Sequence, residues 1–269
     1  MWRAIKAMIM RDLTRMVRQR GRLVSAMVRP LIWLFVIGSG FDALLSAAGT
    51  PNYRQSLVPG LLSMVMLFGA LLASLSMVYD KESGVMRMLI VAPFPRYVII
   101  LARTASATMV GLTQALMLIL ILLPLGYLAD THNVGLLVGA LVCTALLCAS
   151  VGTLIAVFSK ALDDFAVVMN FFIFPMYFLS GALYPIGQLP GVLKALVLIN
   201  PFSYGVDLMK HALAARASPP FGAEFALYQD LLVLVGFSAL ALSIACYRFS
   251  QAPVFETLAR MLSHRRGGY

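Results

Sequence analysis

Histidine, cysteine and carboxylate side chains are the groups through which a chain does acid–base, nucleophilic or metal chemistry. Here three His, three Cys and 11 Asp or Glu are spread over 269 residues. His132 and His211 stand isolated between hydrophobic runs and His264 lies in the tail, so no His pair or His–carboxylate cluster shows metal-ligand spacing. Cys143, Cys148 and Cys246 fall inside apolar runs, where they read as small packing residues and not as a disulfide or metal framework. Ser180, between Leu179 and Gly181, lacks the G-x-S-x-G context of a hydrolase nucleophile. No G-x-x-x-x-G-K-[ST] loop is present to cradle phosphates. The expectation is a chain that is not an enzyme, with no catalytic residue, no metal ligand and no directly bound cofactor.

The elements around these residues are unusual for a protein in water. Hydrophobic residues make up 61% of the chain and charged ones 12%, about half the usual share, and mean hydropathy is +0.90. A spanning helix needs roughly 20 mostly apolar residues. Six such runs occur, at about 24–46, 57–79, 98–126, 134–158, 165–183 and 227–249. They are continuous, unlike the alternating ten-residue segments of a barrel. The fold class expected is therefore an all-α integral membrane protein of six transmembrane helices, read as one domain over residues 1–269.

Charge position gives orientation. Of 21 Lys and Arg, all but Arg54, Lys194, Lys210 and Arg216 fall on one side of a six-span arrangement. The positive-inside rule puts that side, with both termini, in the cytoplasm. The basic excess then serves orientation and lipid headgroups, not nucleic acid. Residues 2–22 place Trp2, Ile5, Ile9 and Leu13 on one helical face and Arg11, Arg15, Arg18 and Arg22 on another, the pattern of an amphipathic interface helix. Charged residues avoid the middle of every run. Arg29, Asp42, Arg103, Asp230 and Arg248 lie near run ends, where they are expected to snorkel. A gradient-driven carrier would need ionisable sites at mid-depth, so that class is disfavoured.

Two segments interrupt the pattern. In 80–96, Asp80, Lys81, Glu82, Arg87 and Arg96 surround an apolar set that includes Val85, Met86 and Leu89. Asp80 and Glu82 are expected to start a short helix and Pro93 to end it. The second segment is FLSGALYPIGQLP, residues 178–190, followed by a break at Asn200-Pro201. Residues 186–200 are too few to cross about 30 Å, and broken backbone at membrane depth must be buried in protein or face a cavity. The segment is expected to dip in and return.

Glu82, Gly84, Leu89, Pro93 and Arg96 resemble the coupling segment of ABC type-2 transporter permeases. Val85 stands where that family often has threonine, and Arg87 near a position often acidic. Phe178, Leu179, Ser180, Gly181, Tyr184, Pro185, Leu189 and Pro190, then Asn200, Pro201, Tyr204 and Asp207, are similar in order and spacing to the family's outer re-entrant motif. The resemblance covers essentially the whole chain. It implies an N-terminal interface helix (1–22) and a cytoplasmic coupling segment (80–96) in which Asp80, Lys81, Glu82, Gly84, Arg87, Leu89, Pro93 and Arg96 meet a separate ABC ATPase subunit. It implies an outer re-entrant segment (184–215) with Gly181, Tyr184, Pro185, Leu189, Pro190, Asn200, Pro201, Tyr204 and Asp207 at a gate. In a dimer of permease copies, Asn170, Phe174, Tyr177 and Phe178 are candidates to line the pathway. ATP and Mg would sit on the partner subunit. The resemblance further implies an inner-membrane location and export of a hydrophobic drug, lipid-linked molecule, lipo-oligosaccharide or polysaccharide. A non-transporting membrane assembly protein and a gradient-driven carrier are the alternatives.

Overall fold

The computed structural model describes residues 20–47, 53–86, 95–128, 133–213 and 222–251, together with Met10, Arg11, Thr14 and Arg18. These residues are helical throughout their regular structure, with no strand among them. Helix α1 (Arg20–Ile32) passes through a π turn (Trp33–Ile37) into α2 (Gly38–Ala47). Three long helices follow: α3 (Tyr53–Glu82), α4 (Arg96–Leu122) and α5 (Val134–Phe158). Next come α6 (Leu162–Val168), a second π turn (Met169–Ile173) and α7 (Phe174–Phe178). Then α8 (Gly191–Ile199) and α9 (Pro201–Leu213) lead to α10 (Leu227–Ser250).

Five helices are long and apolar enough to cross a membrane: Ala26–Leu44, α3, α4, α5 and α10. Residues 162–178 are helical without a break, about 25 Å of rise, at the short limit for a span. They cover most of the fifth expected run, 165–183. The π turn within it ends two residues before Pro175, whose missing N–H and ring disturb the hydrogen-bond ladder one turn back. Helices α8 and α9 form a bent pair at 86°, the dip and return expected from Asn200-Pro201.

Helix α3 is the centre of the bundle. Its apolar window is 78% buried, against 28% for α10, and α4, α5 and α9 pack on it. Helix α10 closes the other side of α4 and α5. A hydrogen bond between Thr104 Oγ1 and Thr153 Oγ1 (3.1 Å) ties α4 to α5, as small hydroxyl residues do where water is absent. Close approach is needed where α3 meets the turn after α7: a Cβ on Gly60 would stand 2.2 Å from the Ala182 carbonyl oxygen. That turn owes its shape to Gly181 at φ +71, a conformation costly for any residue with a Cβ. By contrast, α8 leaves Val192, Leu196 and Ile199 exposed, an apolar surface suited to lipid and not water.

The bundle has two distinct ends. One carries Asp80, Arg96, Lys160 and Arg248 and is called the basic end here. The other carries residues 179–190 and 222–226 and is called the hairpin end.

Candidate functional site

At the basic end, α3 runs to Glu82 and stops at Gly84, whose φ of +78 gives the left-handed turn that ends a helix. Asp80 and Glu82 were expected to begin a helix here; they instead lie in the last turn of one. Carboxylates are unfavourable at a helix C-terminus, and tertiary partners overcome this. Asp80 is buried and forms an ion pair with the buried guanidinium of Arg103 on α4. Arg103 also donates to Ser76 Oγ (3.3 Å), and Arg11 Nη2 lies 3.3 Å from the same Asp80 oxygen. Arg103, expected to snorkel, is therefore held inside the bundle.

The next two residues close the neighbouring helix ends. Lys81 Nζ donates to the carbonyls of Ala156 (2.6 Å), Val157 (2.8 Å) and Ser159 (3.1 Å), the unpaired oxygens where α5 finishes. Glu82 accepts the N–H of Leu162 (2.8 Å), where α6 starts. Asp164, in the first turn of α6, completes that start by reaching back to accept the N–H groups of Lys160 and Ala161. Arg96 donates to the carbonyl of Ser250 (2.8 Å) at the end of α10. The chain is helical again at Val85 and Met86. Arg87, Leu89 and Pro93 lie outside the described residues, as does most of the expected interface helix.

At the hairpin end, the motif residues close the C-terminus of α7. Asn200 Nδ2 donates to Met176 O (2.7 Å), Ser180 Oγ to Tyr177 O (2.6 Å) and Tyr184 Oη to Phe178 O (2.6 Å). Asn200 Oδ1 accepts the N–H of Phe202 (3.0 Å), so it is also the N-cap of α9, with Pro201 as the first helical residue. Tyr53 Oη on α3 holds Leu183 O (2.8 Å), and Tyr204 Oη holds Leu198 O at the end of α8 (2.9 Å). Leu189 is partly buried and Pro190 exposed; with Pro185 they bracket the 3-10 turn Ile186–Gln188.

Asp207 is fully buried and accepts the N–H groups of Glu224 (2.9 Å) and Phe225 (2.9 Å) just before α10. Glu224 reaches on to the N–H of Ile186. His211 and Asp230 were passed over in the sequence, His211 as isolated and Asp230 as an interfacial residue. The structure brings both against Asp207: His211 Nε2 is 3.7 Å from Asp207 and 3.5 Å from Asp230, and Asp230 is fully buried. The one local signal was the i,i+4 spacing of Asp207 and His211 on a helix. Asp230 joins them only through tertiary packing.

The pathway candidates on the fifth expected run divide. Tyr177 is buried among Phe68, Phe178 and Phe202, and the Phe174 ring lies 5.2 Å from that of Phe68, tilted at 49°. Asn170 and Phe178 are on the exposed side. Between α1, α3 and α4 lies a cavity of about 140 Å³ lined by Ala26, Arg29, Met64, Phe68, Leu72 and Gln114. The Arg29 guanidinium sits 4.9 Å over the Phe68 ring, so apolar walls carry one cationic group.

Residues 3–213 match the family model described as ABC-2 type transporter. The chain belongs to the ABC-2 type transporter family. Among its relatives is the inner membrane transport permease YadH of Escherichia coli strain K12, 25% identical over 83% of this chain and 88% of that protein. The putative transport permease ycf38 of Pyropia yezoensis is 27% identical over 76% of this chain and 71% of its own length. Nodulation protein J of Rhizobium leguminosarum bv. trifolii is 24% identical over 70% of this chain and 72% of its own. The ABC-2 family is one of membrane transport permeases, which agrees with the helical bundle and the bent pair. Among the residues that carried the resemblance, Glu82, Arg96, Ser180, Tyr184, Asn200 and Tyr204 take up backbone groups at helix ends.

The buried ion pair gives a test of the basic end. Asp80→Asn strands the Arg103 charge and is expected to lower stability by about 3–5 kcal/mol, whereas Asp80→Leu with Arg103→Met should lose far less. Denaturant titration of the protein in micelles reads both. Equal losses in the single and double variants would show that the pair does not hold α3 to α4.

Proposed function

We propose that this chain is the membrane subunit of an ATP-driven exporter, working as a dimer with a separate ABC ATPase subunit that binds ATP and Mg. The observation that carries the reading is the pair Lys81 and Glu82, which fastens the start of the 80–96 segment to the end of α5 and the beginning of α6. A partner pressing on that segment would move the helix formed by α6 and α7, whose far end is stitched to the hairpin through Asn200. Force applied at the basic end then reaches the hairpin end through one continuous helical path. The chain has no phosphate-binding loop of its own, so the nucleotide chemistry falls to the partner.

The distribution of Lys and Arg supports a cytoplasmic basic end and an outward hairpin end, in the inner membrane. Tyr184, Tyr204 and Asp207 then line the outer gate. The exposed aromatic side of the fifth expected run (Phe171, Phe172, Phe178) suits a seam between two copies. The cavity under Arg29 favours an anionic or amphipathic cargo, such as a hydrophobic drug or a lipid-linked saccharide. The relative named nodulation protein J supports the saccharide end of that range.

Two experiments test this. Purification of the solubilised chain from its native membrane should bring down a stoichiometric Walker A protein. Glu82→Ala, which unfastens α6, should keep insertion but cut transport-coupled ATP hydrolysis severalfold. Recovery of a homo-oligomer with no ATPase would instead favour a membrane assembly protein or a gradient-driven carrier. For orientation, a cysteine at the exposed Gln188 should react with an impermeant maleimide added outside intact cells. Reaction only after the cytoplasmic face is opened would reverse the topology.

A further inference from the structure

The polar cluster between α9 and α10 is more specific than a gate edge requires. Asp207 and His211 stand one helical turn apart on α9, and Asp230 faces them from the first turn of α10. One ligand atom from each lies within 4.8 Å of the other two. The separations of 3.7 Å and 3.5 Å from His211 Nε2 to the two carboxylates are too long for hydrogen bonds. They are close to the roughly 3.3 Å expected between donor atoms that share one tetrahedral ion at about 2.0–2.2 Å.

The independent observation is Asp230 itself. Its side chain is fully buried, and neither carboxylate oxygen has a hydrogen-bond partner. A buried carboxylate without donors is strongly unfavourable unless a proton or a cation neutralises it. The cluster sets three carboxylates, Asp207, Asp230 and Glu224, against the Lys210 ammonium and the His211 imidazole. Asp207 and Asp230 are both buried, Lys210 is the buried ammonium beside them, and His211 is the remaining basic group. Asp207 is already aimed by the N–H groups of Glu224 and Phe225, the kind of outer hydrogen bonding that orients ligands around an ion.

We infer that Asp207, His211 and Asp230 form a binding site for a divalent transition-metal ion of the zinc class. One imidazole nitrogen with carboxylate oxygens suits such an ion, whereas magnesium and calcium prefer oxygen ligands alone. In the described geometry His211 Nε2 donates a hydrogen bond to the Phe225 carbonyl oxygen (2.9 Å), a bond that the ion would replace. Binding through Nε2 places the ring proton on Nδ1, and the Phe225 oxygen is then near enough to serve as a further ligand. The ion would cross-link α9 of the hairpin to the first turn of α10. Its function would be to lock the hairpin against the last span, and its binding stands independently of the exporter reading.

The test uses the full chain, purified without a histidine tag in micelles, stripped with chelator and titrated with Zn²⁺ alone in a calorimeter. One ion per chain should bind. Asp230→Asn and His211→Gln should each weaken affinity by at least about tenfold, while Lys194→Gln, on the exposed face of α8, should leave it unchanged. An excess of Mg²⁺ should not compete. Wild-type chain loaded with Co²⁺ should show visible absorption of a four- or five-coordinate nitrogen–oxygen site, a readout that does not depend on any variant folding. No saturable Zn²⁺ binding, affinity unchanged in both ligand variants, or a purely octahedral Co²⁺ spectrum would overturn the assignment.

Discussion

A helix that stops inside an apolar medium leaves up to four carbonyls or four N–H groups with no water to meet them. This constraint explains more of the chain than any single contact. At several described breaks a side chain from another helix, or from the far side of the turn, takes up the unpaired backbone. Asp42 receives the N–H of Tyr53 where α3 starts. Lys81 covers the end of α5 and Glu82 the start of α6. Asn200, Ser180 and Tyr184 cover the end of α7, and Asp207 covers the approach to α10. The polar residues of this apolar chain are concentrated where backbone would otherwise be stranded.

The same closures join the parts into a mechanical unit. A capping side chain belongs to one element and binds the end of another, so movement of either is transmitted to both. The closures made by Lys81 and Glu82 link α3 to the turn between α5 and α6. The closures made by Asn200 link the end of α7 to α9. The proposed export mechanism needs such a linkage between the two ends of the bundle, and the cluster of Asp207, His211 and Asp230 lies where it terminates. Buried charge is accommodated near the two ends of the bundle, by the Asp80–Arg103 pair at one and this cluster at the other.

Much of this was legible in the chain because membrane helices announce themselves by length and hydropathy. The runs at 134–158 and 227–249 match α5 and α10 almost residue for residue, and the helical break at Asn200-Pro201 falls where proline chemistry puts it. The motif around Ser180 and Tyr184 was recognisable as a pattern, but its physical content, the closure of α7, required the structure. Asp80 and Glu82 were misplaced at a helix start because the dipole rule is local and weak. Ion pairing with Arg103 and capping of Leu162 outweigh it. Arg103 and Asp230 were misjudged for a related reason: position within a hydropathy run says how deep a charge lies, not whether a neighbouring helix covers it. His211 needed Asp230 from another helix before its position had meaning.

The closure of α7 by Asn200 is the most direct point at which to test this account. The measurement is hydrogen–deuterium exchange of the chain in micelles, comparing wild type with Asn200→Leu, which keeps the side chain's size and removes its donors and acceptor. The account predicts exchange faster by about tenfold or more across 177–184 and 200–206, the equivalent of leaving buried polar backbone unpaired, with α5 amides unchanged. Exchange at wild-type rates in those two stretches would contradict it.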